Sequence, residues 1–162
     1  GSEIHLTSES GKGSTFGFEL QFEKGVANKI KTIEIKPDIT LLNEKKVLLV
    51  EDNKINQMIT QKMLEKRGIS CKIIDNGEES IAIMNAENDF DLVLMDVHLP
   101  GINGTIATQH IREFNTEMPI IALTAISLNE NREMLLSFGM TDVITKPFEP
   151  ENFYRVIAMN LV

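Results

Sequence analysis

Val47-Leu48-Leu49-Val50-Glu51-Asp52 is an unbroken apolar run that stops at two acids. The segment after it, roughly 54–67, carries Ile55, Met58, Ile59 and Met63 at helical spacing and ends at Gly68, a natural helix C-cap. A short apolar strand followed by an amphipathic helix is one βα unit, and the pattern recurs downstream. The later runs are Cys71-Lys72-Ile73-Ile74, Leu92-Val93-Leu94-Met95, Ile120-Ile121-Ala122-Leu123 and Val143-Ile144. Helical segments are expected at about 77–87, 104–114, 128–138 and 150–160. The last shows Phe153, Val156, Ile157 and Leu161, with Pro150 suited to its first turn. Nearly continuous apolar strands are expected where helices cover both faces of a sheet. The pattern therefore predicts an α/β fold with five parallel strands and five helices in (βα)5 order. Ligands of such sheets sit outside the carboxyl ends of the strands, near the topological switch point.

Upstream the pattern is different. Residues 1–22 read as two short strands around the turn Ser10-Gly11-Lys12-Gly13-Ser14. Thr15 to Phe22 puts Phe16, Phe18, Leu20 and Phe22 on one greasy face, so this hairpin needs a partner surface. Residues 23–44 show no clear period and read as a linker, although Ile30, Ile33, Ile35, Leu41 and Leu42 suggest packing against a neighbour. The third segment is 45–162.

Composition narrows the class. The 162 residues are 42% hydrophobic and 25% charged, ordinary for a globular chain and unlike a collagenous or disordered one. No run approaches the length of a transmembrane helix, and the start lacks the pattern of a signal peptide. The single cysteine, Cys71, fits a reducing, cytoplasmic compartment. A net charge of -8 disfavours nucleic acid and anionic membrane as partners.

The chemistry is expected at the strand ends. The first strand of the repeating part ends in Glu51-Asp52, the third in Asp96, the fourth in Thr124-Ala125 and the fifth in Lys146-Pro147. Singly, each has a plainer reading as a helix cap or a solvated turn. Together they bring three carboxylates, a hydroxyl and an ammonium to one edge. Converging carboxylates repel and need a neutralising partner, and a hard dication such as Mg²⁺ takes oxygen ligands of this kind. The set meets the needs of phosphoryl transfer, and a carboxylate can itself be the nucleophile. Asp96 is the best candidate, because it stands alone at a central strand end.

Val50-Glu51-Asp52-Asn53-Lys54-Ile55-Asn56-Gln57, Leu94-Met95-Asp96-Val97-His98-Leu99-Pro100-Gly101, Leu123-Thr124-Ala125 and Thr145-Lys146-Pro147-Phe148 resemble, in order and spacing, the receiver domain of two-component signalling. The Glu-Asp-Asn-x-x-Asn-Gln form looks most like receivers carried by hybrid histidine kinases. Residues 1–22 are similar to the last hairpin of a histidine-kinase ATP-binding domain. The nucleotide-binding boxes of that domain are missing from this sequence, so no ATP binding and no other small-molecule cofactor is expected. The resemblance implies a flavodoxin-like, doubly wound sandwich with strand order 2-1-3-4-5 behind the hairpin. It implies that Asp96 accepts a phosphoryl group from a phosphohistidine on the parent kinase or on a histidine-phosphotransfer protein. It further implies that Asp52, Asp96 and the His98 carbonyl ligate Mg²⁺, with Glu51 acting mainly through water. Lys146 would pair with phosphoryl oxygens, Thr124 would swing toward the phosphate, and Ala125 would keep the approach open. The Lys146-Pro147 bond is expected to be cis.

Three positions depart from the family pattern. Val143 stands where an aromatic is usual, so coupling of Thr124 to a ring flip cannot operate as usual. His98 is unusual two residues after the acceptor and places an imidazole near its water. Asn103-Gly104 replaces a frequent Asp-Gly, a neutral change at a helix start. His5 and His110 read as surface or packing residues, and the eight methionines as adaptable core packing. The alternative function is a receiver-like interaction module that signals without phosphorylation. An aspartyl phosphatase would want a second acid where His98 stands. A flavin carrier would want a Ser/Thr/Gly-rich loop after the first strand of the repeating part.

Overall fold

The computed structural model describes residues 4–19, 42–87, 89–125 and 128–161. Leu20, Phe22 and the linker as far as Leu41 lie outside the described residues. The elements are β1 (Ile4–Glu9), β2 (Gly13–Phe18), β3 (Lys46–Val50), α1 (Lys54–Glu65), β4 (Ser70–Ile74), α2 (Gly77–Ala86), β5 (Leu92–Asp96), α3 (Gly104–Arg112), β6 (Ile120–Thr124), α4 (Leu128–Ser137), β7 (Asp142–Thr145) and α5 (Pro150–Asn160).

β1 and β2 form an antiparallel hairpin in which Ile4 faces Phe18 and Leu6 faces Phe16. Those four side chains share one face and are exposed, Phe16 at 71%. Gly11 and Gly13 hold the turn at φ of 79° and 102°, which residues with a Cβ rarely adopt.

The other five strands form a parallel sheet in the order β4-β3-β5-β6-β7. That is the 2-1-3-4-5 arrangement expected from the resemblance. Alternation along the strands builds two cores. Val47, Leu49, Leu92, Leu94, Ile121 and Leu123 face Leu64 of α1 and Phe153, Val156 and Ile157 of α5. Leu48, Val50, Val93, Met95, Ile120 and Ala122 face Met84 of α2, Ile111 of α3 and Leu135 of α4. Burial on both faces is why the strands read as nearly continuous apolar runs. Leu42, four residues before β3, also reaches the first of these cores and is fully buried.

The helix starts follow from asparagine. Asn53, Asn76 and Asn103 each turn a side-chain oxygen onto backbone N–H groups of α1, α2 and α3, the usual way to satisfy donors left open at a helix start. After α1 the chain turns through Gly68, where φ is 72°. Pro150 opens α5.

The apolar residues at helical spacing in α1 divide: Ile55, Met58 and Ile59 are exposed, Ile55 at 69%, whereas Met63 packs partly buried against the first core. The buried positions of α1 are Gln57, Thr60 and Leu64. Methionine is similarly divided: Met84, Met95 and Met140 are buried, whereas Met58, Met134 and Met159 are exposed. Among the described residues, no helix is long and apolar enough to cross a membrane.

Candidate phosphoryl and metal site

β3 and β5 are neighbours, but their following helices pack on opposite faces of the sheet. The chain therefore parts above their carboxyl ends, and the crevice of a doubly wound sheet lies there. Glu51 follows β3 directly and Asp96 is the last residue of β5. Both are buried, at 1% and 6% exposure, while Asp52 is exposed. Carboxylate oxygens of all three lie within 4.8 Å of one another.

Lys146, just after β7, reaches across the sheet to this cluster. Its Nζ donates to Glu51 Oε2 at 2.5 Å and to Asp96 Oδ2 at 2.8 Å. Burial works against the ammonium form, but the hydrogen bonds and charges of Asp96 and Glu51 outweigh it and raise the Lys146 pKa above the ordinary lysine value. The other Asp96 oxygen, Oδ1, accepts the His98 backbone N–H at 3.0 Å. The Lys146-Pro147 peptide is cis. Thr124 ends β6 and is buried, and Ala125 behind it is exposed.

The donor set suits a hard divalent cation. Every candidate ligand atom is oxygen, and one ammonium against three carboxylates leaves a formal surplus of two negative charges. A dication removes that surplus and prefers such ligands, whereas zinc would want nitrogen or sulfur. Cys71 offers no such ligand at this site, and burial pushes its thiol up to about 12.

The backbone around Asp96 is tightly packed. A Cβ on Gly104 would collide with the Asp96 carbonyl oxygen and stand 2.9 Å from Met95 Cγ, so α3 starts hard against β5. Gly104 N–H also donates to Val97 O at 3.1 Å. Asn103-Gly104 is thus more than a helix start, since the glycine allows this approach. Val143 is buried in β7, so its side chain belongs to the core. His98 is exposed beside the site. His5 is exposed on β1, and His110 pairs with Glu113 at 3.4 Å on α3.

Sequence reasoning assigned no role to two neighbours of the acids. Asn56 Nδ2 donates to Glu51 Oε1 at 3.0 Å, and Gln57 Nε2 donates to the Glu51 backbone oxygen at 2.5 Å. The available signal was position: the first turn of a helix after a strand stands over that strand's end.

An acid cluster bridged by a lysine, at the switch point of a five-stranded parallel sheet, defines a small α/β signalling module. Residues 47–158 match the response regulator receiver domain, and the chain belongs to that family. It is similar to the autoinducer 2 sensor kinase/phosphatase LuxQ of Vibrio vulnificus, 36% identical over 154 residues, which cover 94% of this chain and 18% of that protein. Among solved structures it is similar to the receiver domain of sensor histidine kinase PA1611 of Pseudomonas aeruginosa, crystallised with magnesium in its active-site cleft. That likeness has 34% identity and a TM-score of 0.67 over 73% of this chain and 98% of the other. It is also similar to a chain of the Saccharomyces cerevisiae co-crystal of the histidine phosphotransfer protein Ypd1 with the receiver of Ssk1, at 32% identity and TM-score 0.65 over 71% and 87%. The chain spans about a fifth of the length of the curated relatives it matches. Its function is that of a phosphoacceptor receiver homologous to those of hybrid kinases and phosphorelays.

Proposed function

We propose that Asp96 is the residue that takes the phosphoryl group, from a phosphohistidine, within a hybrid histidine kinase. The observation that carries this is the bridge of Lys146 to Asp96 and Glu51 beside Asp52. An Asp96 oxygen attacks phosphorus in line with the P–N bond. The O–P bond forms, the P–N pair leaves with the imidazole, and the imidazole takes up a proton. Lys146 follows the charge onto the phosphoryl oxygens, Thr124 donates its hydroxyl to them, and Ala125 leaves the approach open. Asp52, Asp96 and the His98 carbonyl would hold Mg²⁺, with Glu51 acting mainly through water, and the ion would supply positive charge to the transferring oxygens. The new charge biases the face of α4, β7 and α5, without an aromatic at Val143 to report it.

The phosphodonor is either the parent kinase core or a histidine-phosphotransfer protein, which docks over the site with its edge on α1. The exposed Ile55, Met58 and Ile59 support that choice of face. Residues 1–22 are the end of the parent's ATP-binding domain and 23–44 the link to the receiver 45–162, all on the cytoplasmic side. Support comes from the LuxQ alignment, which covers 94% of this chain and so reaches the hairpin.

A small-molecule phosphodonor supplied with Mg²⁺ tests the assignment by intact mass. Wild type gains one phosphoryl group, while chelation of the metal or Asp96→Ala abolishes it. Labelling that persists in Asp96→Ala overturns the assignment. A folded chain that never labels favours the phosphorylation-independent module instead.

A further inference from the structure

Glu51 cannot hold its own position. Three rotatable bonds separate its backbone from its carboxylate, and the carboxylate is almost completely buried. Its neighbour Lys146 is equally drawn to Asp96. The anchors come from the start of α1. Asn53 spends its side-chain oxygen capping the helix, on the N–H groups of Ile55 and Asn56. That leaves the side chain of Asn56, three residues into α1, to reach back past the cap. Its Nδ2 donates to Glu51 Oε1 at 3.0 Å, and the Asn53 N–H adds a longer bond at 3.3 Å to the same oxygen. Gln57 fixes the Glu51 backbone from the next position at 2.5 Å. With Oε1 occupied, Oε2 faces Lys146 at 2.5 Å.

We propose that Asn56 is a positioning residue, whose carboxamide keeps the Glu51 carboxylate turned onto Lys146, so that Lys146 is shared with Asp96 and the acid cluster is preset for a divalent cation. The inference rests on the Mg²⁺-dependent reading above. Without the carboxamide, Oε1 keeps only the 3.3 Å bond and the carboxylate is free to turn. The cluster must then be ordered at the moment the ion binds. Hydrogen-bond partners that orient metal ligands are commonly worth about 10–100-fold in affinity. A purely structural role for Asn56 forecasts unchanged Mg²⁺ affinity, and since alanine is the better helix former and should leave α1 at least as stable, a loss of affinity would not come from a melted helix.

The experiment titrates Mg²⁺ alone into four full-length proteins by calorimetry: wild type, Asn56→Ala, Glu51→Gln and the double variant. Asn56→Ala is expected to weaken binding about tenfold while its metal-free melting temperature holds. In the Glu51→Gln background the same change is expected to add less than about twofold, since the two residues act as one unit. Asn56→Ser, one bond too short to reach Glu51, should reproduce the loss and serves if the alanine variant melts early. Wild-type affinity in a folded Asn56 variant, or a full further loss in the double variant, overturns the inference alone. A wild type that binds no Mg²⁺ overturns the metal-dependent reading as well.

Discussion

Thr60 lies fully buried on the inner side of α1, and among the described residues its hydroxyl is the buried side-chain polar atom without a hydrogen-bond partner. A desolvated, unpaired hydroxyl costs about 1–3 kcal/mol, and valine keeps the shape without it. Thr60→Val is therefore expected to stabilise the fold by roughly 1 kcal/mol and raise the melting temperature by roughly 3–6 °C. A drop in thermal denaturation would show that the hydroxyl has a use. The contrast with the site is instructive. Glu51 and Asp96 are also buried, and Lys146 partly so, but each is matched by a partner of opposite charge. Those residues were legible in the sequence because each closes an apolar run, and an acid or amine at a strand end in a doubly wound sheet points to chemistry. The anchoring by Asn56 was not legible. It depends on how far back the first helical turn leans, which spacing along the chain does not specify.

Among the elements, β3 and β5 are locked together at the edge opposite the site. Asp91, just before β5, accepts the Lys46 backbone N–H at 2.8 Å and the Lys45 ammonium at 2.9 Å, and its own N–H donates to Lys46 O at 2.8 Å. Burial pushes its pKa up, but these bonds and charges outweigh it and hold the carboxyl below its ordinary value. A carboxyl with a depressed folded pKa adds stability above its unfolded value of about 3.9 and loses it as pH falls through the folded one. Asp91→Asn should therefore cost about 1 kcal/mol near neutral pH, with the difference from wild type closing below about pH 4. Urea melts across that range check this, and a constant difference would refute the linkage. Strand and helix positions were readable throughout this part of the chain, because two-sided burial and asparagine caps leave local marks. The inward face of α1 is Gln57, Thr60 and Leu64, of which Gln57 serves the strand end, and Ile55, Met58 and Ile59 are left outside.

At the level of the whole receiver, the sheet separates two cores and holds the acid cluster and Lys146 at one rim. The core over α1 and α5 is closed by a residue that precedes every strand of the sheet. Leu42 is fully buried there, and the chain between it and β3 is pinned by Glu44 N–H to Gly68 O at 3.1 Å. The linker has no apolar period, but Leu42 is among its residues that suggest packing against a neighbour, and it packs into this core. Its truncation to alanine should cost about 2–5 kcal/mol, the usual price of a leucine-sized void, and denaturant melts of the full chain would read it. An unchanged midpoint would mean the gap collapses. The consequence reaches anyone who redraws the border of this module. A scissors cut placed where the strands begin would remove a stopper from the bottom of the barrel of side chains, so a transplantable receiver must carry a few residues of what looks like tether.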